Sequence, residues 1–66
     1  MDTMERVNEL IAERNITLYK LAQMSDISYS TFKNTVKRNG QLSVDTIERI
    51  CAGLQISLSE FFAESA

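Results

Sequence analysis

The stretch from Thr17 to Arg38 constrains the chain most, because it holds two short helical patterns with an abrupt break between them. Leu18, Leu21 and Ala22 sit at helical spacing after Thr17, whose hydroxyl can accept from the free amides of a first turn. Ser25 and Asp26 continue a helix poorly, and Ile27 with Ser28 then restart the pattern with an apolar residue and a second N-cap. The break spans about 3–4 residues, enough to turn one helix sharply against the next. The second helix runs from Tyr29 to Lys37, and only Phe32 and Val36, one helical turn apart, are strongly apolar on it. Its other faces are free to touch something else.

The flanking segments supply what such a pair packs against. Met4, Val7, Leu10 and Ile11 form one apolar stripe of a first helix, opened by Asp2 or Thr3 and ending near Arg14-Asn15. Asn39 and Gly40 tolerate positive φ and can close the second motif helix. Ser43 caps a fourth helix with Val44, Ile47, Ile50, Cys51 and Leu54 on one face, and Gln55 ends it. Ser57 with Glu60 reads as a capping box for a last short helix carrying Leu58, Phe61 and Phe62. Phe61 and Phe62 are adjacent, so one is expected to seal the core and the other to stand exposed as a possible dimer contact. Residues 63–66 are expected to fray. No stretch reads as a strand.

Size and composition favour one small intracellular domain. The 66 residues, 44% of them hydrophobic, suffice for one modest core, and a second domain has no room. No apolar run approaches the roughly 20 residues of a membrane span, and no basic-then-apolar leader opens the chain, so a cytoplasmic location and no membrane partner are expected. Cys51 is the only cysteine and histidine is absent, which excludes an internal disulfide and the usual zinc ligands. Cys51 lies on an apolar stripe and reads as a small buried hydrophobe. With no histidine, no paired nucleophile and base and no glycine-rich phosphate loop, an enzyme is the weakest reading. No cofactor, metal or small-molecule ligand is expected.

A net charge of −2 argues against a nucleic-acid partner until it is divided by segment. Residues 1–14 carry −2, residues 15–40 carry +3 through Lys20, Lys33, Lys37 and Arg38 against Asp26, and residues 41–66 carry −3. A basic face with an acidic back orients a molecule on a phosphate backbone while limiting its non-specific affinity.

The run Ile16-Thr17, Leu21-Ala22, Ile27-Ser28, Ser30-Thr31-Phe32 and Val36 resembles the lambda-repressor-like helix-turn-helix of the Cro/repressor (XRE) type. Leu42 to Phe62 resembles the last two helices of that five-helix fold, so the resemblance covers almost the whole chain. It implies an all-α, five-helix domain over residues 1–66, with the motif at 17–38 and a recognition helix at about 28–38. It further implies a sequence-specific double-stranded DNA-binding transcription regulator, a repressor acting as a homodimer on a two-fold symmetric operator. By position in the family pattern, Tyr29, Ser30 and Asn34 reach base edges, and Lys33 meets a guanine edge or a phosphate. Thr17, Lys20, Thr31, Lys37, Arg38 and Asn39 are the corresponding phosphate contacts, which fix register without reading sequence. In a chain this short, control would come from concentration, a partner protein or the operator itself.

Five positions depart from that pattern. Relatives often carry Gln where this chain has Leu18, glycine where it has Asp26, and an apolar residue where it has Thr35. They also often pair a buried Arg on helix 1 with a Glu near the end of the recognition helix, and the matching positions are Ile11 and Val36. Replacing a buried ion pair by packing requires both changes together, so Ile11 and Val36 are expected to touch. The competing class is a protein-interaction module, antirepressor or antitoxin-like, that keeps the fold without binding DNA. Overall acidity, Leu18 and a largely neutral recognition helix favour it, and the +3 segment opposes it.

Overall fold

In the computed structural model, which describes residues 2–63, Asp2 opens the first helix by accepting from the amides of Met4 and Glu5 at 3.0 and 3.2 Å. That helix, α1 (Thr3–Glu13), buries Met4, Val7 and Leu10 on one stripe, and Ile11 packs half-buried at its edge. Thr17 Oγ1 accepts from the Lys20 amide at 3.0 Å and starts α2 (Leu18–Met24). Ser28 precedes α3 (Tyr29–Lys37). Ser43 and Ser57 accept from the Thr46 and Glu60 amides to start α4 (Val44–Leu54) and α5 (Leu58–Phe61). Five helices, and no strand among the described residues, make the all-α architecture that the periodicity predicts.

The chain leaves four of these segments through a left-handed residue. Asn15, Asp26, Asn39 and Gln55 have φ between 54° and 59°, and none is glycine. Asn and Asp reach this conformation at modest cost because their short side chains bond locally, whereas Gln55 adopts it at the full steric penalty. Gly40, expected to share the role of Asn39, does not have a positive φ. Each left-handed residue lets the next amide reach back to an open carbonyl, as when Ile27 donates to Ala22 at 2.9 Å and Gly40 to Thr35 at 3.0 Å.

Phe32, Phe61, Leu10, Leu21, Ile50 and Val7 are fully buried and form the centre of the core. Each contributes about 1.5–3 kcal/mol by leaving water. The central helix of the packing is α2, which lies against α1, α3 and α4, while α5 rests on α4. Leu18, the position where relatives carry a polar residue, is half-buried against this core. Phe61 seals the bottom of the core and Phe62 stands 46% exposed, the division that their adjacency predicts. Cys51 is buried and its Sγ lies 3.8 Å from the Ser57 carbonyl. Burial pushes its thiol pKa up, so it is an inert hydrophobe.

Two polar ties have no signature in the apolar pattern. Arg6 is 8% exposed, and its guanidinium donates from Nε to the Phe61 carbonyl at 2.6 Å and from Nη2 to the Glu60 carbonyl at 2.8 Å. It thereby anchors the end of α5 to α1. Thr3 is also buried, with Oγ1 donating to Gln41 Oε1 at 2.8 Å and accepting from the Leu42 amide at 2.9 Å. This holds the segment after α3 against the start of α1.

Val36 is not buried, as an apolar pair with Ile11 replacing a buried ion pair would require. Val36 is 58% exposed and borders an open cleft shared with Met4, Asn8 and Asn39, whereas Thr35 is buried. The inward face of α3 is therefore Phe32 with Thr35 rather than Phe32 with Val36. Thr35 enters the core because its hydroxyl donates to the Thr31 carbonyl one turn back at 2.9 Å, which satisfies the group without an outside partner. Met1 and residues 64–66, including most of the stretch expected to fray, lie outside the described residues.

Candidate nucleic-acid interface

With Phe32 and Thr35 turned inward, helical geometry sends Ser30, Lys33, Asn34 and Lys37, at i, i+3, i+4 and i+7, to the opposite side of α3. All four are exposed. Tyr29 lies on one flank of that face, 38% exposed, and half-buried Thr31 with exposed Arg38 lies on the other. Asn39 follows in the left-handed turn, exposed. The residues expected at base edges are thus brought together on one surface.

The turn that presents this surface is held from behind. Asp26 takes φ 56°, and its carbonyl accepts from Arg49 Nη1 on α4 at 3.2 Å. Thr17 and Lys20, at the start of α2, are exposed, but Thr17 Oγ1 already accepts from the Lys20 amide. Its hydroxyl proton remains available to an outside acceptor. The Thr31 carbonyl is engaged by Thr35, leaving its hydroxyl for any outward contact.

Ser28 departs from its expected part as an N-cap. Its side chain makes no capping bond, and Ser28 Oγ lies 2.7 Å from Ser30 Oγ instead. The expected capping box of α5 is likewise only half formed. Ser57 accepts from the Glu60 amide, while the Glu60 carboxylate lies 3.8 Å from Arg14 Nη2.

Ion pairing divides the cations by location. Arg6 pairs with Glu9, Arg14 with Glu13 and Glu60, and Arg49 with Asp45. Among the described residues, Lys20, Lys33, Lys37 and Arg38 form no ion pair, so the +3 of residues 15–40 faces outward uncompensated. Such charge, unpaired in the free protein, is available to phosphates without first breaking an internal bond.

One neighbour of this surface has no counterpart in the sequence reading. Tyr19 on α2 is 57% exposed, and its ring centroid lies 5.6 Å from that of Tyr29 with the planes at 68°, an edge-to-face pair across the turn. Lys33 Nζ lies 5.6 Å from the Tyr29 centroid, over the ring. At an exposed site such a cation–π contact is worth about 0.5–1 kcal/mol. The available signal was the presence of one tyrosine on each side of the break.

A short helix, a left-handed turn and a second helix presenting a polar and cationic outer face define a helix-turn-helix domain. A family model for the Cro/C1-type HTH DNA-binding domain matches residues 6–63, nearly the full chain, and the chain belongs to that family. It is a DNA-binding regulator by class, which is not an enzymatic role. Comparisons with curated proteins and with solved structures found no match. Among the described residues no helix is long and apolar enough to cross a membrane.

Proposed function

We propose that this chain is a sequence-specific transcription repressor that binds double-stranded DNA as a homodimer on a two-fold symmetric operator. The observation that carries the reading is that, among the described residues, Lys20 on α2 and Lys33, Lys37 and Arg38 on and after an exposed, polar α3 form no ion pair, whereas Arg6, Arg14 and Arg49 do. α3 enters the major groove by its N-terminal end. Tyr29, Ser30 and Asn34 meet base edges, and Lys33 meets a guanine edge or a phosphate. Thr17, Lys20, Thr31, Lys37, Arg38 and Asn39 hold the flanking phosphates. The reading needs no cofactor or small-molecule ligand.

The dimer is supported by Leu58 and Phe62, 43% and 46% exposed at the end of the chain's described part, which offer an apolar contact to a second copy. A domain 28 Å in its longest dimension fits one half-site of an operator whose half-sites lie about 34–36 Å apart. The same exposed apolar residues would serve a protein-interaction module that does not bind DNA, the second reading.

Selection of bound duplexes from a random pool at moderate salt tests both. An enriched motif with two-fold symmetry is the expected result. A single unsymmetrical half-site would remove the homodimer and leave the DNA reading standing. No enrichment, with no salt-sensitive retention, would refute the repressor in favour of the interaction module.

A further inference from the structure

We propose that Tyr19 is a specificity-determining positioning residue, whose ring holds Tyr29 in the orientation in which α3 presents it to a base pair. The inference rests on the DNA reading above. Tyr29 touches a ring from a different helix on one side, at 5.6 Å and 68°, and the ammonium of Lys33 from its own helix at 5.6 Å on another. Both tyrosines are exposed, at 57% and 38%, so neither ring is placed by burial in the core.

An exposed tyrosine in the first turn of a helix would otherwise choose among rotamers. Edge-to-face pairing with Tyr19 restricts that choice, because the attraction between a ring's positive edge and another's negative face is directional. Lys33, four residues on, is drawn back along the helix toward the same ring. Its ammonium is thereby held near the N-terminal half of α3. Because α2 and α3 are fixed relative to each other by the turn at Asp26 and its tie to Arg49, Tyr19 is a stationary support. Tyr29 and Lys33 then enter a complex already ordered, and the entropy of fixing their side chains is not lost on binding. The ring of Tyr19 does this and its hydroxyl takes no part.

The test compares Tyr19→Ala, Tyr19→Phe, Tyr29→Ala and the Tyr19→Ala/Tyr29→Ala double variant on the duplex that the wild-type protein selects, with circular dichroism confirming the fold. Tyr19→Ala should weaken binding about two- to tenfold, the range of an aromatic pair, and relax the same base pair that Tyr29→Ala relaxes. The double variant should bind no worse than Tyr29→Ala, and Tyr19→Phe should bind like wild type. Losses that multiply in the double variant, a different relaxed base pair, unchanged binding by Tyr19→Ala, or a Tyr19→Phe as weak as Tyr19→Ala would each overturn the proposal. In the last case the hydroxyl itself would be holding the DNA backbone.

A readout without DNA separates the two layers of the argument. The ε-methylene protons of Lys33 should resonate upfield in the wild type, under the Tyr29 ring, and move toward an ordinary lysine position in Tyr19→Ala. An unmoved resonance would show that Tyr19 does not orient the ring. A wild-type protein that selects no duplex would instead refute the DNA reading, and this role with it, even where the resonance moves.

Discussion

Replacing Gly53 by alanine sets two effects of opposite sign against each other on α4. In the interior of an exposed helix, Gly→Ala stabilises by about 0.5–1 kcal/mol, because alanine loses less backbone entropy on folding. Gly53 is packed rather than open. A Cβ built there would lie 2.6 Å from Ser25 Oγ, 2.9 Å from the Met24 carbonyl oxygen and 3.0 Å from its carbon. A hydroxyl can rotate away, but the Met24 carbonyl is backbone at the end of α2, and it can yield only if α2 and α4 separate. Overpacking of this kind costs about 1–3 kcal/mol. The clash therefore exceeds the propensity gain, and a net loss of about 1–2 kcal/mol is expected, or roughly 7–14 °C in Tm for a domain of this size. The contrast is Gly40→Ala. Gly40 has no positive φ and meets nothing closer than the Thr35 carbonyl at 4.0 Å, so that variant should gain about 0.4–1 kcal/mol through the unfolded chain. Thermal and urea melts of the two variants beside wild type provide the assay. A Gly53→Ala that melts at or above the wild-type temperature would refute the close packing of α2 on α4 described above.

The other expectations concern separate parts of the molecule. Arg6→Met should cost about 3–6 kcal/mol by melting, since it removes two hydrogen bonds from a charged donor to the end of α5, and Arg6→Lys should restore only part of it because one ammonium nitrogen on a shorter stem does not reproduce the spacing of the two guanidinium nitrogens. Asn34→Ala should cost about 1–3 kcal/mol on the preferred duplex and relax one base pair in a repeated selection, whereas Lys37→Ala should weaken all duplexes alike and lower the slope of log affinity against log salt by about 1 per domain. Cys51 should react with a thiol reagent only as fast as the protein opens. Its folded pKa is raised above 9.0 by burial, so the stability that it contributes is fully present below the unfolded pKa and is lost as pH rises through the folded one, a decline that urea melts above pH 9 would detect and a Cys51→Ala variant would lack.

Helix existence and most helix ends were legible because they depend on local chemistry. Asp2, Thr17, Ser43 and Ser57 cap the helices that their hydroxyl or carboxylate chemistry predicts, and Asp26, Asn39 and Gln55 turn the chain where an ordinary helical residue would have continued it. The rotational phase of α3 was not legible. Hydrophobicity ranks Val36 above Thr35, but the two differ by one residue, and Thr35 can hide its hydroxyl on the Thr31 carbonyl while Val36 gains little from a cleft already open to water. Arg6 escaped for a related reason. A charged residue beside Val7 reads as solvated until the carbonyls of Glu60 and Phe61, more than 50 positions away in sequence, arrive to pair with it. The edge contact of Tyr19 on Tyr29 likewise exists only once the turn has closed.

Several features of α3 do little for its own folding. It is the one helix of the five whose N-cap residue makes no side-chain capping bond, a deficit of about 1 kcal/mol. It buries only Phe32 and Thr35, leaves Val36 to water and carries Lys33 and Lys37 without ion partners among the described residues. Stability is recovered elsewhere, through the Arg6 fork, the Thr3–Gln41 tie and the Arg49 bond to the turn, none of which touches the exposed face. A helix held from behind in this way can leave its outer residues to water in the free protein. Water-facing donors, and cations without ion partners among the described residues, are what a phosphate backbone and base edges can engage.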